Sequence, residues 1–550
     1  MMLVGAAIAL GGCPSRREDA SSSGTPGTAP SALAAVPAPA DLAAELIVPN
    51  PEASWSALRA ALGEDAVMVP RSVGGLLVGL LGLPLRAAQE FDEKLPIVGA
   101  LASDGAMALG IHVRSGSTLR LVLASGQDAA FDVDTRDAVA LLRPRVAARA
   151  ALVTGLTLAV VGNYLVLASS DGAALNLGPF LARTLGPRGT LSREPGNAVR
   201  ADVLLHGDGP NFAAAMDHLV HAAPRGLDPE LSAQLAPIVD LDALATSLRD
   251  TLATTLTTDV VLTLGGAVPR LDATMRSSGQ AGASPRPTIA PAMLGELRGE
   301  TAAAVVLGEA LSARKGSARV RAGALAALVG LRAEGATFDG AKLAAALEAI
   351  AEGRGDATTV GVTCSGAGPT GFAMGEVNDR KKLETGVGAL LALRKEAAVE
   401  RLLAEQGLTL SVERGRLERI QDEVTRVRLA PRKDDDATRR TDLRFSLGDE
   451  RYAIAAGADS TEALQALQRV SAPGTLRETA KLEPALKELG ERAYAALYVD
   501  PLALKACRTA TPSATPTGAV TAALGPIEGG VRLRIDVSSA AFGALGRWLR

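Results

Sequence analysis

The chain has 550 residues, 47% hydrophobic and 21% charged, a globular balance with room for two to four ordinary domains. A net charge of −3, with Lys and Arg spread along the chain, and an aromatic content of only 3% exclude a nucleic-acid binder built on a basic face or on stacking platforms. With Trp55 and Trp548 as the two tryptophans, the core has to come from Ala, Leu and Val, and so from many well-packed elements.

The first feature in chain order is a short apolar segment, Leu3 to Leu10, closed by Gly11, Gly12 and Cys13. Leu10-Gly11-Gly12-Cys13 resembles the lipobox of bacterial lipoprotein precursors. The resemblance implies cleavage before Cys13 and diacylglycerol on its thiol, with several acyl chains giving stable anchorage where one would not. The composition of Pro14 to Ala40, rich in Ser, Pro, Ala, Thr and Gly, is that of a tether with a root-mean-square span of roughly 25–30 Å. Pro14, rather than Asp, follows the cysteine, which favours the outer membrane over the inner. Among the later segments, Val73 to Leu83 comes closest to a membrane span. It is short, holds four glycines and stops at Pro84, so it reads as a buried helix or loop.

Folding is expected from Asp41. Ala44–Val48 reads as a strand, Pro49-Asn50-Pro51 as a turn and Ser54–Leu62 as a helix. The unit recurs at Val203–His206 with a helix from Asn211 to Val220, and at Ala495–Val499 with Asp500-Pro501 and a helix through Leu504. Asn or Asp supplies an N-cap oxygen, and Pro in the first turn needs no donor. A second unit is a hairpin followed by a helix: Leu158–Val161 and Tyr164–Ser169, then Leu177–Leu185. It returns as Leu443–Leu447 and Tyr452–Ala456, then Thr461–Val470. Closing strand pairs are expected at Val260–Met275 and Glu528–Val537.

The fold class is therefore α+β, in two tandem similar halves, each a mainly antiparallel sheet with packed helices. The expected organisation is a signal at 1–12, a lipidated Cys13 and tether at 13–40, halves at 41–276 and 292–550, and a Gly/Pro-rich linker at 277–291. Thr509–Gly518 reads as a loop. The layout resembles an uncharacterised family of large secreted or lipid-anchored proteins of high-GC bacteria, with duplicated α+β halves. The resemblance implies no activity.

Candidate chemistry is sparse. His206, His218 and His221, with Asp208 and Asp217, are the weak candidates for a metal site, although Asp217 points about 100° from His218 on a helix. Asp132-Val133-Asp134-Thr135-Arg136-Asp137 opens like a calcium loop but has Arg at the fifth position; a helix N-cap at Asp134 or Thr135 suits it better. Gly366–Gly371 matches GxGxxG but reads as a hairpin turn between Thr358–Cys364 and Phe372–Met374. Ser312–Lys315 matches S-x-x-K without its partner motifs and reads as helix surface. Arg354-Gly355-Asp356 reads as a chance triplet, and Lys433–Arg440 as a solvated turn. Cys364 and Cys507 either pair or stay as thiols; their spacing does not decide.

These readings assign no catalytic residue, metal or cofactor. They point to a membrane-anchored extracytoplasmic lipoprotein that acts as a non-enzymatic binding or scaffold module of the cell envelope, with an envelope protein as partner and no nucleic acid. Two alternatives stand beside it: a carrier of an apolar ligand or lipid, which calls for an apolar cavity, and a hydrolase with a dispersed site. A binding module calls for an exposed apolar patch or sheet edge.

Overall fold

A computed structural model describes residues 34–62, 66–67, 69–125, 129–145, 156–191, 202–222, 255–264, 269–277, 287–332, 338–365, 368–418, 420, 422–432, 441–457, 459–468, 474–479, 482–509, 518–538 and 540–541. Cys13, the lipobox, Lys433–Arg440 and most of Thr509–Gly518 lie outside these residues. The chain divides into two compact units; the described residues up to 277 belong to the first and those from 287 to the second. The class is α+β.

The first unit contains strands β1 (Leu42–Val48), β2 (Ile97–Ala102), β3 (Met107–His112), β4 (Phe131–Arg136), β5 (Val139–Pro144), β6 (Thr157–Val161), β7 (Tyr164–Ala168), β8 (Val203–Asp208), β9 (Thr255–Thr263) and β10 (Arg270–Ser277). All pairings are antiparallel, in the order β10-β9-β8-β1-β2-β3-β7-β6-β5-β4. Its helices are α1 (Pro51–Leu62), α2 (Val73–Leu81), α3 (Gly116–Ala124), α4 (Asp171–Phe180), α5 (Gly186–Leu191) and α6 (Gly209–Ala222), with a 3-10 segment at Leu85–Glu90.

Local chemistry places these elements. Pro51 opens α1, while the Asn50 side chain accepts from Ala53 N. Ser72, Ser115 and Ser170 cap α2, α3 and α4 by accepting from the third residue on. The β6–β7 hairpin turns at Gly162, which takes φ 57°.

Both faces of this sheet are covered along β3, β7, β6 and β5. On one, Ile111, Leu142, Leu158, Val160 and Leu165 are buried beneath Val78, Leu81, Leu83, Ala87, Leu119 and Leu123 of α2, the 3-10 segment and α3. On the other, Leu141, Ala159, Val161 and Val166 meet Ala174, Leu177 and Phe180 of α4 and the Leu181 and Leu185 that follow it.

The second unit contains β11 (Thr301–Gly308), β12 (Arg354–Ser365), β13 (Gly368–Val377), β14 (Leu408–Gly415), β15 (Val424–Pro431), β16 (Thr441–Leu447), β17 (Arg451–Gly457), β18 (Ala495–Val499), β19 (Val520–Ile527) and β20 (Gly530–Val537). Again all pairings are antiparallel, in the order β20-β19-β18-β11-β12-β13-β17-β16-β15-β14. Strand for strand, that is the order of the first unit. Its helices are α7 (Leu311–Arg332), α8 (Gly340–Gly353), α9 (Arg380–Ala392), α10 (Ala397–Glu405), α11 (Ser460–Leu467), α12 (Leu476–Thr479), α13 (Glu483–Glu488) and α14 (Pro501–Thr509).

Several expected boundaries move. The helix placed at 177–185 begins at Asp171, because Ser170 caps it there, and passes into a π-helical turn at Leu181–Leu185. The second closing pair begins at Val520 rather than Glu528. Asp132–Asp137 does not open a helix: it is β4 and the turn into β5, with Asp137 at φ 53°, a left-handed conformation that Asp tolerates. Val73–Leu81 is a helix buried along Gly74, Val78 and Leu81 only, and its outward residues Leu76 and Leu80 are half-buried. No helix among the described residues is long and apolar enough to cross a membrane.

Candidate functional site

Strands β14 to β16 alternate strictly. One side carries Leu410 and Val412, Val427 and Leu429, Leu443 and Phe445; the other carries Ser411 and Glu413, Arg426 and Arg428, Asp442 and Arg444. Directly opposed residues of antiparallel strands share a face, so the register traces rows across the sheet. One row runs Leu497, Val305, Val360, Ala373, Ile454 and Phe445. The next runs Ala303, Val362, Gly371, Ala456, Leu443, Val427 and Val412. Beyond Phe445 the first row continues into Thr425, and Thr358 and Tyr452 stand on the same face one row further along.

An apolar face of this kind is expected beneath a layer of helices. Here it is half open. Val360 is 43% and Leu497 36% exposed, and the other residues of both rows, as far as Phe445 and Val412, are half-buried. The opposite face is closed in the usual way: Ala304, Val306, Phe372, Ala496 and Tyr498 lie under Leu294, Leu297, Leu482, Leu486 and Leu489, while Ala453 and Ala455 lie beside Ala463 and Leu464 of α11.

The difference from the first unit lies in the connections. There, the β1–β2 and β3–β4 connections bring α2, the 3-10 segment and α3 onto the sheet. In the second unit the corresponding connections carry α7 to α10. These pack on one another around Ala322, Leu343 and Leu393, and no described residue of theirs joins the two buried clusters of the sheet. At the centre of the open face is Gly371: a Cβ built on it would find only the Ala456 carbonyl oxygen, at 3.8 Å. Ala373 and Ala456 beside it are small, so the middle of the face is a shallow trough.

One end of the face is covered. Helix α14 lies along β11, β12 and β13. Asp500 caps it by accepting from Leu502 N at 2.9 Å and Ala503 N at 3.0 Å. Cys507 on α14 forms a disulfide with Cys364 on β12 (Cα–Cα 5.3 Å), which resolves the alternative the spacing left open.

Beside the trough is an ionic cluster. Arg314, which the S-x-x-K match placed on a helix surface, is only 3% exposed. Its guanidinium donates to the carbonyls of Glu309 and Gly355 and, at 2.7 Å, to the Asp356 carboxylate. Arg354 donates to Glu309 and Thr358, whose hydroxyl lies 3.3 Å from that of Tyr452. The Arg354-Gly355-Asp356 triplet is thus part of the joint between α7, α8 and β12. On the exposed side, the ammonium groups of Lys315 and Lys382 hold the Glu352 carboxyl down to about 2.

The described histidine side chains do not converge. His206 on β8 faces Asp259 on β9, with its Nδ1 2.7 Å from the carboxylate. His218 is exposed on α6, close to Gly105 in the β2–β3 turn. His221 is on the same helix, but its side chain is outside the described residues. Among the described residues no three His, Cys, Asp or Glu side chains gather to hold a metal ion. His112, at the end of β3, is packed edge-on against Tyr164 (ring centroids 5.1 Å apart) with Asp92 4.0 Å away. Burial lowers its pKa, and Asp92 opposes this. Burial also pushes the Tyr164 hydroxyl up to about 12.

The GxGxxG match turns as a hairpin: β12 and β13 pair through Ser365 and Gly368, and Gly368 takes φ 120°. Comparison of the chain with family models, curated proteins and solved structures gives no match. Sequence reasoning found β12, β13, β16, β17 and β18, but not β11, β14 or β15, and not the trough. Its one signal was the strict alternation of Leu408–Val412, an apolar stripe with no helix assigned to cover it.

Proposed function

We propose that the protein is a lipid-anchored, extracytoplasmic binding module of the cell envelope, with the open sheet face of the second unit as its binding surface. The observation that carries this reading is the half-open apolar face around Gly371. Soluble proteins seldom leave a contiguous apolar patch uncovered unless something binds there. Two further features agree. The Cys364–Cys507 disulfide suits an oxidising compartment. The lipobox-like Leu10-Gly11-Gly12-Cys13 suits an anchor, with Cys13 lipidated and the outer membrane the favoured site. We also read the two units as a tandem duplication. Their identical strand order supports this.

The binding reading is tested with the apolar dye 1-anilinonaphthalene-8-sulfonate on the full chain carrying Cys13→Ala. Saturable fluorescence that falls when Val360 and Phe445 are both changed to Asp is the expected result. Equal fluorescence in the two proteins removes the face from the reading. The address is tested by mass spectrometry of the native protein: a diacylated N-terminal cysteine is expected, and an unmodified Met1 in the soluble fraction overturns it.

A further inference from the structure

We infer that the protein self-associates through strand β14, which pairs antiparallel with the β14 of a second copy about a two-fold axis at Ser411. The inference concerns the edge of the second unit's sheet and stands independently of the binding reading of its open face.

Strand β14 ends the strand order of the second unit. Its eight residues all pair with β15, without a register shift, and no other described strand pairs with it. One side of the strand therefore presents backbone N–H and C=O groups that have no ladder partner among the described residues. Natural sheets blunt such edges with Pro, Lys, a bulge or a very short strand. Here the strand is regular, contains neither Pro nor Lys, and runs about 27 Å. Its two charges, Glu413 and Arg414, stand at one end.

The corresponding strand of the first unit shows a guarded edge. β4 pairs with β5 alone and carries Asp132 and Asp134. A two-fold axis relating two antiparallel strands passes midway between one residue and its own copy, so a single residue names each register. For β4 the two registers of longest overlap centre on Val133 and on Asp134. The first sets Asp132 against Asp134 twice, and the second sets Asp134 against itself. Like charges directly opposed destabilise a strand pair. Both registers are therefore closed to β4.

β14 meets no such obstacle. With the axis at Ser411, Leu410 faces Val412, Thr409 faces Glu413, and Leu408 faces Arg414, whose aliphatic stem covers it. No like charges meet. Directly opposed residues share a face, so Leu408, Leu410 and Val412 of both copies lie together, and the exposed Thr409, Ser411 and Glu413 lie together on the other side. The neighbouring axis, at Val412, sets Leu410 against Arg414 and matches the apolar side less well. Pairing over Leu408–Arg414 adds about six to eight backbone hydrogen bonds. The interface is isologous and closes at two copies. Its axis is normal to the sheet, so each face stays on its own side and the open apolar faces of the two copies become one continuous surface.

The test uses the full chain carrying Cys13→Ala, which leaves no free thiol beside the Cys364–Cys507 bond. Sedimentation equilibrium should show a dimer whose share rises with protein concentration, as suits a small interface. Ser411 is exposed and lies opposite Arg428 on β15. Ser411→Glu thus gains an opposite charge within its own sheet, but sets two carboxylates face to face across the axis. It should weaken the dimer about ten-fold or more, with the thermal midpoint no lower. Ser411→Cys should give a covalent dimer when copper phenanthroline is added as the oxidant of the two thiols. Thr409→Cys should not: it is also exposed on the same side, but lies about 14 Å from its own copy in this register. A monomer at every concentration measured overturns the inference. So does a dimer that a folded Ser411→Glu chain forms as tightly, and so does cross-linking that is equal at the two positions or absent from both.

Discussion

Cys364 and Cys507 are bonded to each other across 143 residues, joining a central strand to the helix that covers one end of the apolar face. Closing so long a loop restricts the unfolded chain by about 5 kcal/mol in the chain-entropy account. Cys507→Ser should lower the denaturant midpoint of the second unit, with a loss of about 2–5 kcal/mol. Chemical unfolding with and without dithiothreitol checks this: the unchanged chain should lose stability on reduction, and the variant should be indifferent to the reductant. A chain whose unfolding ignores dithiothreitol contradicts the bond.

Arg314 is a buried cation whose worth lies in its hydrogen bonds more than in its ion pair. Its partner Asp356 is 59% exposed, so solvent screens the attraction and the pair itself contributes little. The Glu309 and Gly355 carbonyls, by contrast, would lose their donor. Arg314→Leu should therefore cost about 3 kcal/mol, and Asp356→Asn less than 1 kcal/mol. Thermal unfolding of the two variants separates the contributions; equal losses would show that the ion pair matters after all.

His112 sets a pH dependence in the first unit. Burial lowers its pKa in the folded protein, whereas in the unfolded chain it returns to about 6.5. Between the two values the unfolded chain binds the extra proton, so stability rises with pH through this window. Its contribution is complete above about pH 6.5 and is lost as the pH falls towards the folded value. His112→Phe keeps the edge-on contact with Tyr164 and removes the proton. It should flatten the fall in stability below about pH 6.5, as read from urea midpoints at pH 5 and pH 7. An unchanged slope would assign the effect to other groups.

The hairpins were legible because period-two alternation and a turn residue agree locally. Tyr164–Ala168 and Arg451–Gly457 needed nothing from elsewhere in the chain. The first strand of the second closing pair was not legible, since Val520–Ile527 runs Val-Thr-Ala-Ala-Leu-Gly-Pro-Ile and alternates weakly. The start of α4 was hidden by Gly172 and Gly178-Pro179, which suggest a loop until Ser170 is recognised as a cap. Asp132–Asp137 misled in the opposite direction: its acidic run mimics a helix start, yet its register with β5 makes it a strand.

The candidate site was legible only in part, for a different reason. Alternation in β14 to β16 announces one apolar face and promises that it will be covered. Whether it is covered depends on where α7 to α9 pack, and that is decided by contacts such as Leu343 with Ala322 and Leu393. Local sequence carries no record of that choice. Nor does the spacing of Cys364 and Cys507 reveal that the fold brings their Cα atoms within bonding reach.

The strand order has a kinetic meaning. In each unit the opening strand is central and waits for one near the unit's end: Leu46 is matched by Leu205, and Val305 by Leu497. Synthesis delivers the chain from its N-terminus, so β1 keeps an unmatched edge until β8 has been made. Such non-local pairing is slow and leaves open edges prone to aggregation. During synthesis every strand of the first unit is made before those of the second, so its sheet can pair while the second is still being made. Cys364 likewise has to wait for Cys507, made 143 residues later, before the bond can form.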